Sequence, residues 1–165
     1  MEGRASARVA LIVAALTGAG LVAAAPVPVL SISDGTREVL ARLEPGEPLV
    51  YSYRQSIYQV TVYEDLARTD EGIAIRRARS SDPRAVEYFG WGGEPRAGAD
   101  GLWSEGAPRS VPPNSQLVIR ITPAGEQSLG TARWRIALRP QFGETVVRVR
   151  AEERPWLLAA LGGAR

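Results

Sequence analysis

Apolar residues recur at every second position through most of the chain, in short runs bounded by Gly, Pro, Asn and Asp. A period of two is the mark of strands with one buried face, since successive side chains point to opposite sides of a sheet. The alternation predicts a first strand over Val27–Ser33, a tight turn at Asp34-Gly35 and a hairpin partner over Glu38–Leu43. Pro45-Gly46-Glu47-Pro48 reads as the next turn. Leu49, Tyr51 and Tyr53 then alternate with Val50, Ser52 and Arg54, and the same period runs from Tyr58 through Val60 and Val62 to Glu64. Asp70-Glu71-Gly72 reads as a further hairpin turn, leading to Ile73, Ile75 and on to Arg79.

Between Ser80 and Asn114 the alternation dissolves into a mixture of glycine, proline and charge that contains Tyr88, Phe89, Trp91 and Trp103. A connection of that length inside a small domain is uncommon, and is usually functional or mobile. Strand period returns over Gln116–Thr122, Thr131–Leu138 and Thr145–Arg150, and Pro155-Trp156-Leu157-Leu158 starts an apolar tail suited to one helical turn. About eight short strands with turn signals between them predict an all-β fold, an antiparallel β-sandwich or partly open barrel.

The first 25 residues have a different character. Arg4 and Arg8 precede an unbroken small and apolar run from Val9 to Ala25, with a small-residue exit at Ala23-Ala24-Ala25. That order is the order of a secretory signal. As a helix the run is about 25 Å long, short of the roughly 30 Å hydrocarbon core, and Pro26 and Pro28 stop it from extending. Cleavage after Ala24 releases the rest of the chain, whereas an uncleaved segment tethers it to the cytoplasmic membrane. Either way the arginines hold the N-terminus inside and deliver residues 26–165 outside as a single exported, extracytoplasmic β-rich domain. No cysteine is present to carry a lipid.

Composition narrows the chemistry. All 20 basic residues are arginine, net charge is only +2, and there is neither histidine nor cysteine. So small a surplus is not a nucleic-acid-binding balance. Without cysteine no disulfide framework forms, and stability rests on the core. Without histidine, cysteine or lysine, the chain builds no Ser-His-Asp triad, no Cys-His pair, no Schiff base, no phosphate-loop lysine and no ordinary zinc site. No cofactor or metal is expected. Carboxylate chemistry remains, but the acidic pairs Glu64-Asp65, Asp70-Glu71 and Glu152-Glu153 are chain neighbours, and neighbours in a strand point to opposite faces instead of forming a dyad.

Arginine is more ordered. Arg120, Arg133, Arg135, Arg148 and Arg150 alternate with Leu117, Ile119, Ile121, Trp134, Ile136, Val147 and Val149. If their strands pair, five guanidinium groups share one face, which would attract an anionic ligand or simply cover a solvated sheet. Tyrosine is the other concentration: Tyr51, Tyr53, Tyr58 and Tyr63 fall on two strands expected to form a hairpin, a flat surface with hydroxyl handles or ordinary sheet packing.

In that segment the chain resembles the small bacterial exported proteins catalogued as domain of unknown function eighteen-fifty. Their Ser-Tyr-x-His-Ser strand and following x-Val-x-Glu strand match Ser52, Tyr53, Ser56, Val62 and Glu64, with Gln55 in place of the histidine and Thr61 where proline is common. The resemblance runs loosely on through RARSSDPRAVEYFGW, RITPAGEQSLG and VVRVR. It implies an accessory role beside TRAP-type solute transporters of the TAXI kind, near which such proteins are often encoded. A proton-transfer or metal-binding role for the family's histidine would be lost at Gln55, while a hydrogen-bonding role would survive.

Two functional expectations follow. The first is a non-enzymatic exported domain that binds a partner protein or small anionic ligand. Its recognition strip would be Tyr53, Arg54, Gln55, Ser56 and Glu64, with Tyr88 and Trp91 on the long loop closing over it. The second is a carboxylate-dependent secreted hydrolase pairing Glu64 with an acid such as Glu87. An envelope protein with no discrete site is the third alternative.

Overall fold

A computed structural model describes residues 24–107 and 116–161. The apolar run from Val9 lies outside the described residues except for its last two positions. Among the described residues from Pro26 on, eleven strands and three short helices follow in chain order. The strands are β1 (Pro26–Ser33), β2 (Glu38–Arg42), β3 (Leu49–Arg54), β4 (Thr61–Thr69), β5 (Gly72–Ser80), β6 (Arg96–Ala97), β7 (Trp103–Gly106), β8 (Leu117–Arg120), β9 (Ser128–Gly130), β10 (Arg135–Ala137) and β11 (Val146–Pro155). The helices are α1 (Pro83–Glu87), α2 (Leu138–Phe142) and α3 (Trp156–Leu161).

The strands form two antiparallel sheets, one in the order β2-β1-β11-β8 and the other in the order β10-β9-β3-β4-β5-β7-β6. Neither closes into a barrel. Their inner faces share one core, to which the first sheet gives Leu30, Ile32, Ile119, Val147 and Val149 and the second gives Leu49, Tyr51, Leu66, Ile73, Leu129 and Ile136. Each of these residues occupies one phase of its strand's alternation, as burial of a single face requires. A smaller cluster on the opposite side of the first sheet joins Val29 and Leu40 to Ala159 of α3.

Three expectations need correction. Thr131–Leu138 is not one strand, because Gly130 and Arg135 face each other across the β9–β10 hairpin and the Thr131 N–H donates to the Trp134 carbonyl at 2.9 Å. Tyr58 lies in the turn before β4. The 80–114 segment, whose residues 108–115 lie outside the described part, is largely built structure: α1 opens on Asp82, whose Oδ1 accepts the Arg84 N–H at 3.0 Å, and Pro83 starts the helix with its φ already set. Further on, β7 pairs with β5, and β6 with β7, so this connection widens the second sheet.

The ends of the molecule differ. Pro26 pairs with Pro155, and Arg68 near the end of β4 meets Glu153 of β11 at 3.4 Å. The hairpin turn at Asp70-Glu71 therefore sits at the end where the chain enters β1. The turn over Ser56–Tyr58 is at the other end of β4, and α1 joins it through the Arg84 guanidinium, 5.2 Å from the Tyr58 ring.

Candidate functional site

Strands β3 and β4 carry polar groups on both faces. On the inner face Tyr51 stands opposite Glu64 and Tyr53 opposite Val62, with the two tyrosine rings stacked 5.2 Å apart. Glu64 is only 6% exposed. Burial pushes its carboxyl from the usual 4.5 up to about 7, and a hydrogen bond from the Tyr53 hydroxyl restrains that rise only in part. Burial and the nearby Glu64 charge raise both tyrosine hydroxyls well above their ordinary range. Gln55, next in the same row, is 7% exposed, and its Oε1 has no hydrogen-bond partner among the described residues.

The expected recognition strip is therefore divided. Tyr53, Gln55 and Glu64 face inward. Arg54 is exposed and donates through Nε to Gln59 at 3.2 Å, and Ser56 is exposed in the turn. Tyr88 caps α1 with 63% of its surface open, whereas Trp91 is half-buried against Phe89, their rings 4.7 Å apart. Glu87 is exposed on α1, so the acid suggested as a partner for Glu64 lies on the surface while Glu64 lies inside. The four tyrosines do not form one flat surface either: Tyr51 and Tyr53 point into the core, and Tyr63 lies on the outer face beneath the Arg79 guanidinium, 5.5 Å from its ring.

The proposed arginine face also separates. Arg120, Arg148 and Arg150 belong to the first sheet and Arg135 to the second, while Arg133 lies in the β9–β10 turn. The misreading has a local cause, since the alternation of Ala132, Trp134 and Ile136 continues straight through a turn that lacks proline or asparagine. Arg133 is neutralised. Its Nε donates to Glu47 at 2.8 Å and its Nη1 to Glu44 at 3.2 Å, holding the Glu47 carboxyl down at about 2. Trp134 adds a hydrogen bond from Nε1 to the Arg42 carbonyl at 2.8 Å, pinning this turn to the β2–β3 connection.

That pinned turn walls a cleft of about 260 Å³ on the outer face of the second sheet. Ser52 and Ser128, opposite each other on β3 and β9, share a hydrogen bond of 2.8 Å. Arg135 lies over them, donating through Nε to Ser128 at 2.9 Å and through Nη2 to Ser52 at 3.1 Å. No carboxylate pairs with Arg135 among the described residues, unlike Arg133, Arg77 and Arg79. Gly130 makes room for it: a Cβ there would stand 2.8 Å from the Trp134 carbonyl oxygen and 3.2 Å from the Arg135 Cα. Pro48, Val50, Tyr63 and Thr131 supply the remaining, mostly apolar lining. Sequence reasoning missed this grouping, although two outward-phase serines beside a glycine already marked an outer face with little side-chain cover.

The first sheet has a comparable cleft of about 270 Å³ around Ser31, Ser33, Arg148 and Arg150, but its charge is mixed. Glu38 and Glu152 line it as well, paired with Arg154 at 3.4 and 2.8 Å. Among the described residues no three Asp or Glu side chains gather to hold a metal ion, and no helix is long and apolar enough to cross a membrane. Comparison with protein-family models, with curated proteins and with solved structures finds no match to this chain.

Proposed function

We propose that this chain is a non-enzymatic exported β-sandwich domain that binds a small anionic ligand, or an acidic side chain of a partner protein, at the Arg135 cleft. The observation that carries this reading is the guanidinium itself. It is fixed by two serine hydroxyls and keeps its other N–H groups free of any carboxylate among the described residues. A planar, pre-oriented fork of donors in a concavity suits a carboxylate or phosphate oxygen pair. The serines fix the direction of the fork without consuming its charge, so little ordering entropy remains to be lost on binding. The resemblance noted from the sequence adds the setting, an accessory beside a TRAP-type solute transporter.

Isothermal titration of the protein with phosphate, sulfate, acetate and succinate, repeated on Arg135→Gln, tests this reading. Saturable binding of at least one anion, weakened about tenfold or more in the variant, is expected, corresponding to loss of one charge-assisted contact. Binding that is absent throughout, or unchanged in the variant, overturns it.

One observation favours the hydrolase as a second reading. Glu64 has the raised pKa that a general acid needs. Turnover of glycosides or esters by the wild type that is abolished in Glu64→Gln would establish it in place of the binding function.

A further inference from the structure

Helix α3 opens with three consecutive large apolar residues left in the open: Trp156 is 41%, Leu157 46% and Leu158 49% exposed. Ala159 alone of the described α3 side chains is buried, against Val29 and Leu40 of the first sheet. A short helix thus docks by its smallest side and presents its largest side chains outward. Fully burying one leucine is worth about 1.5–3 kcal/mol, so three such groups in a row form a surface that a partner phase would stabilise.

The place of this helix identifies the partner. The Trp156 backbone N–H donates to the Ala25 carbonyl at 2.9 Å, and Pro26 pairs with Pro155. Ala25 is the last residue of the apolar run Val9–Ala25. If that run stays in the bilayer, its exit point lies at the membrane surface, and Trp156 is bonded to that exit point. Tryptophan prefers this depth, and leucines on an adjoining helix face reach the boundary between headgroups and acyl chains. The first turn of α3 carries no acidic residue, and Glu153 at the same end is paired with Arg68 at 3.4 Å.

We propose that the exposed first turn of α3, Trp156–Leu158, rests in the lipid interface beside the N-terminal segment, forming a second membrane contact. Two contacts fix an orientation where one would leave a swivel. The Asp70-Glu71 turn then lies on the membrane side, and the Ser56–Tyr58 turn with α1 projects away from it. The inference rests on the exported-domain reading with residues 9–25 kept as an anchor, one of the two outcomes that reading leaves open.

The chain contains no cysteine, so single probes can be placed in the full-length protein. Leu157→Cys and, as a control at the far end, Ile57→Cys carry a polarity-sensitive dye, both positions being exposed at 46% and 57%. Each protein is reconstituted with phosphatidylethanolamine and phosphatidylglycerol vesicles, with or without doxyl-labelled acyl chains. The proposal expects co-flotation, a blue shift at position 157, quenching of that dye by the doxyl lipids, and neither change at position 57. A chain that fails to float removes the anchor and this proposal together. Flotation with a water-exposed dye at position 157 overturns the proposal and leaves the anchor standing. A blue shift without doxyl quenching also overturns it, assigning the face to a second copy if dilution into lipid reverses the shift and to the chain's own apolar segment if it does not.

Discussion

Glu64 stands directly opposite Tyr51 across the β3–β4 pair, on the face that the two sheets bury between them. A carboxylate in that position binds its proton more tightly in the folded protein than in the unfolded chain, with a folded value of about 7 against 4.5. The sign follows directly. The folded state is favoured while Glu64 is protonated, and the advantage declines as pH rises from the unfolded value through the folded one. Urea unfolding is expected to give lower stability at about pH 8 than at about pH 5, by on the order of 3 kcal/mol from this group. Glu64→Gln keeps the side chain's shape without its charge, so it should flatten that dependence and be the more stable protein at the higher pH. An unchanged pH profile in the variant would show that Glu64 does not control it.

Arg133 and Glu47 provide the opposite case, a carboxyl held down by a guanidinium at the surface. Arg133→Ala should return the Glu47 carboxyl from about 2 toward 4.5, as followed by the carboxyl carbon resonance in an NMR pH titration. Because the same arginine ties the β9–β10 turn to the β2–β3 connection, amide exchange at Thr131, whose N–H donates to the Trp134 carbonyl, should quicken in the variant while β3 and β4 remain protected. An unmoved Glu47 titration would mean that another group, such as the Glu44 backbone, holds it.

Much of the fold was legible because alternation is a direct consequence of burying one sheet face. Val27–Ser33, Leu49–Arg54 and Ile73–Arg79 fall on observed strands, and the apolar tail from Pro155 leads into α3. The candidate site was less legible, because alternation says which residues share a face within one strand but not which strands share a sheet. Arg120 and Arg135 carry the same local pattern and sit in different sheets. Glu64 did announce itself, since Val62, Glu64 and Leu66 occupy one phase, and a charge in a buried row is the kind of local conflict that often marks function or strain. The α1 start was likewise written in Asp82-Pro83, a capping side chain followed by a residue suited to the first helical turn.

Gly130 is the position where backbone space matters most to the cleft. An added methyl group would meet the Trp134 carbonyl at 2.8 Å, and that backbone is fixed by the Trp134–Arg42 hydrogen bond. Gly130→Ala should therefore cost roughly 1–3 kcal/mol of stability by overpacking. It should also weaken anion binding at Arg135 by displacing the neighbouring strand. Thermal unfolding and the same anion titration measure the two effects, and full stability in the variant would mean that the hairpin yields freely.

Charge and geometry at Arg135 can be separated with two substitutions. Arg135→Lys preserves the positive charge but replaces the planar fork with a point donor that cannot bridge Ser52 and Ser128 in the same way. The double variant Ser52→Ala with Ser128→Ala keeps the fork and removes what aims it. If recognition depends on an oriented bidentate contact, both variants should lose most of the affinity lost in Arg135→Gln. If long-range attraction alone governs binding, Arg135→Lys should bind as the wild type does, and added salt should weaken both equally. The titrations at low and high ionic strength thus distinguish an arginine that reads the shape of its ligand from one that only supplies charge.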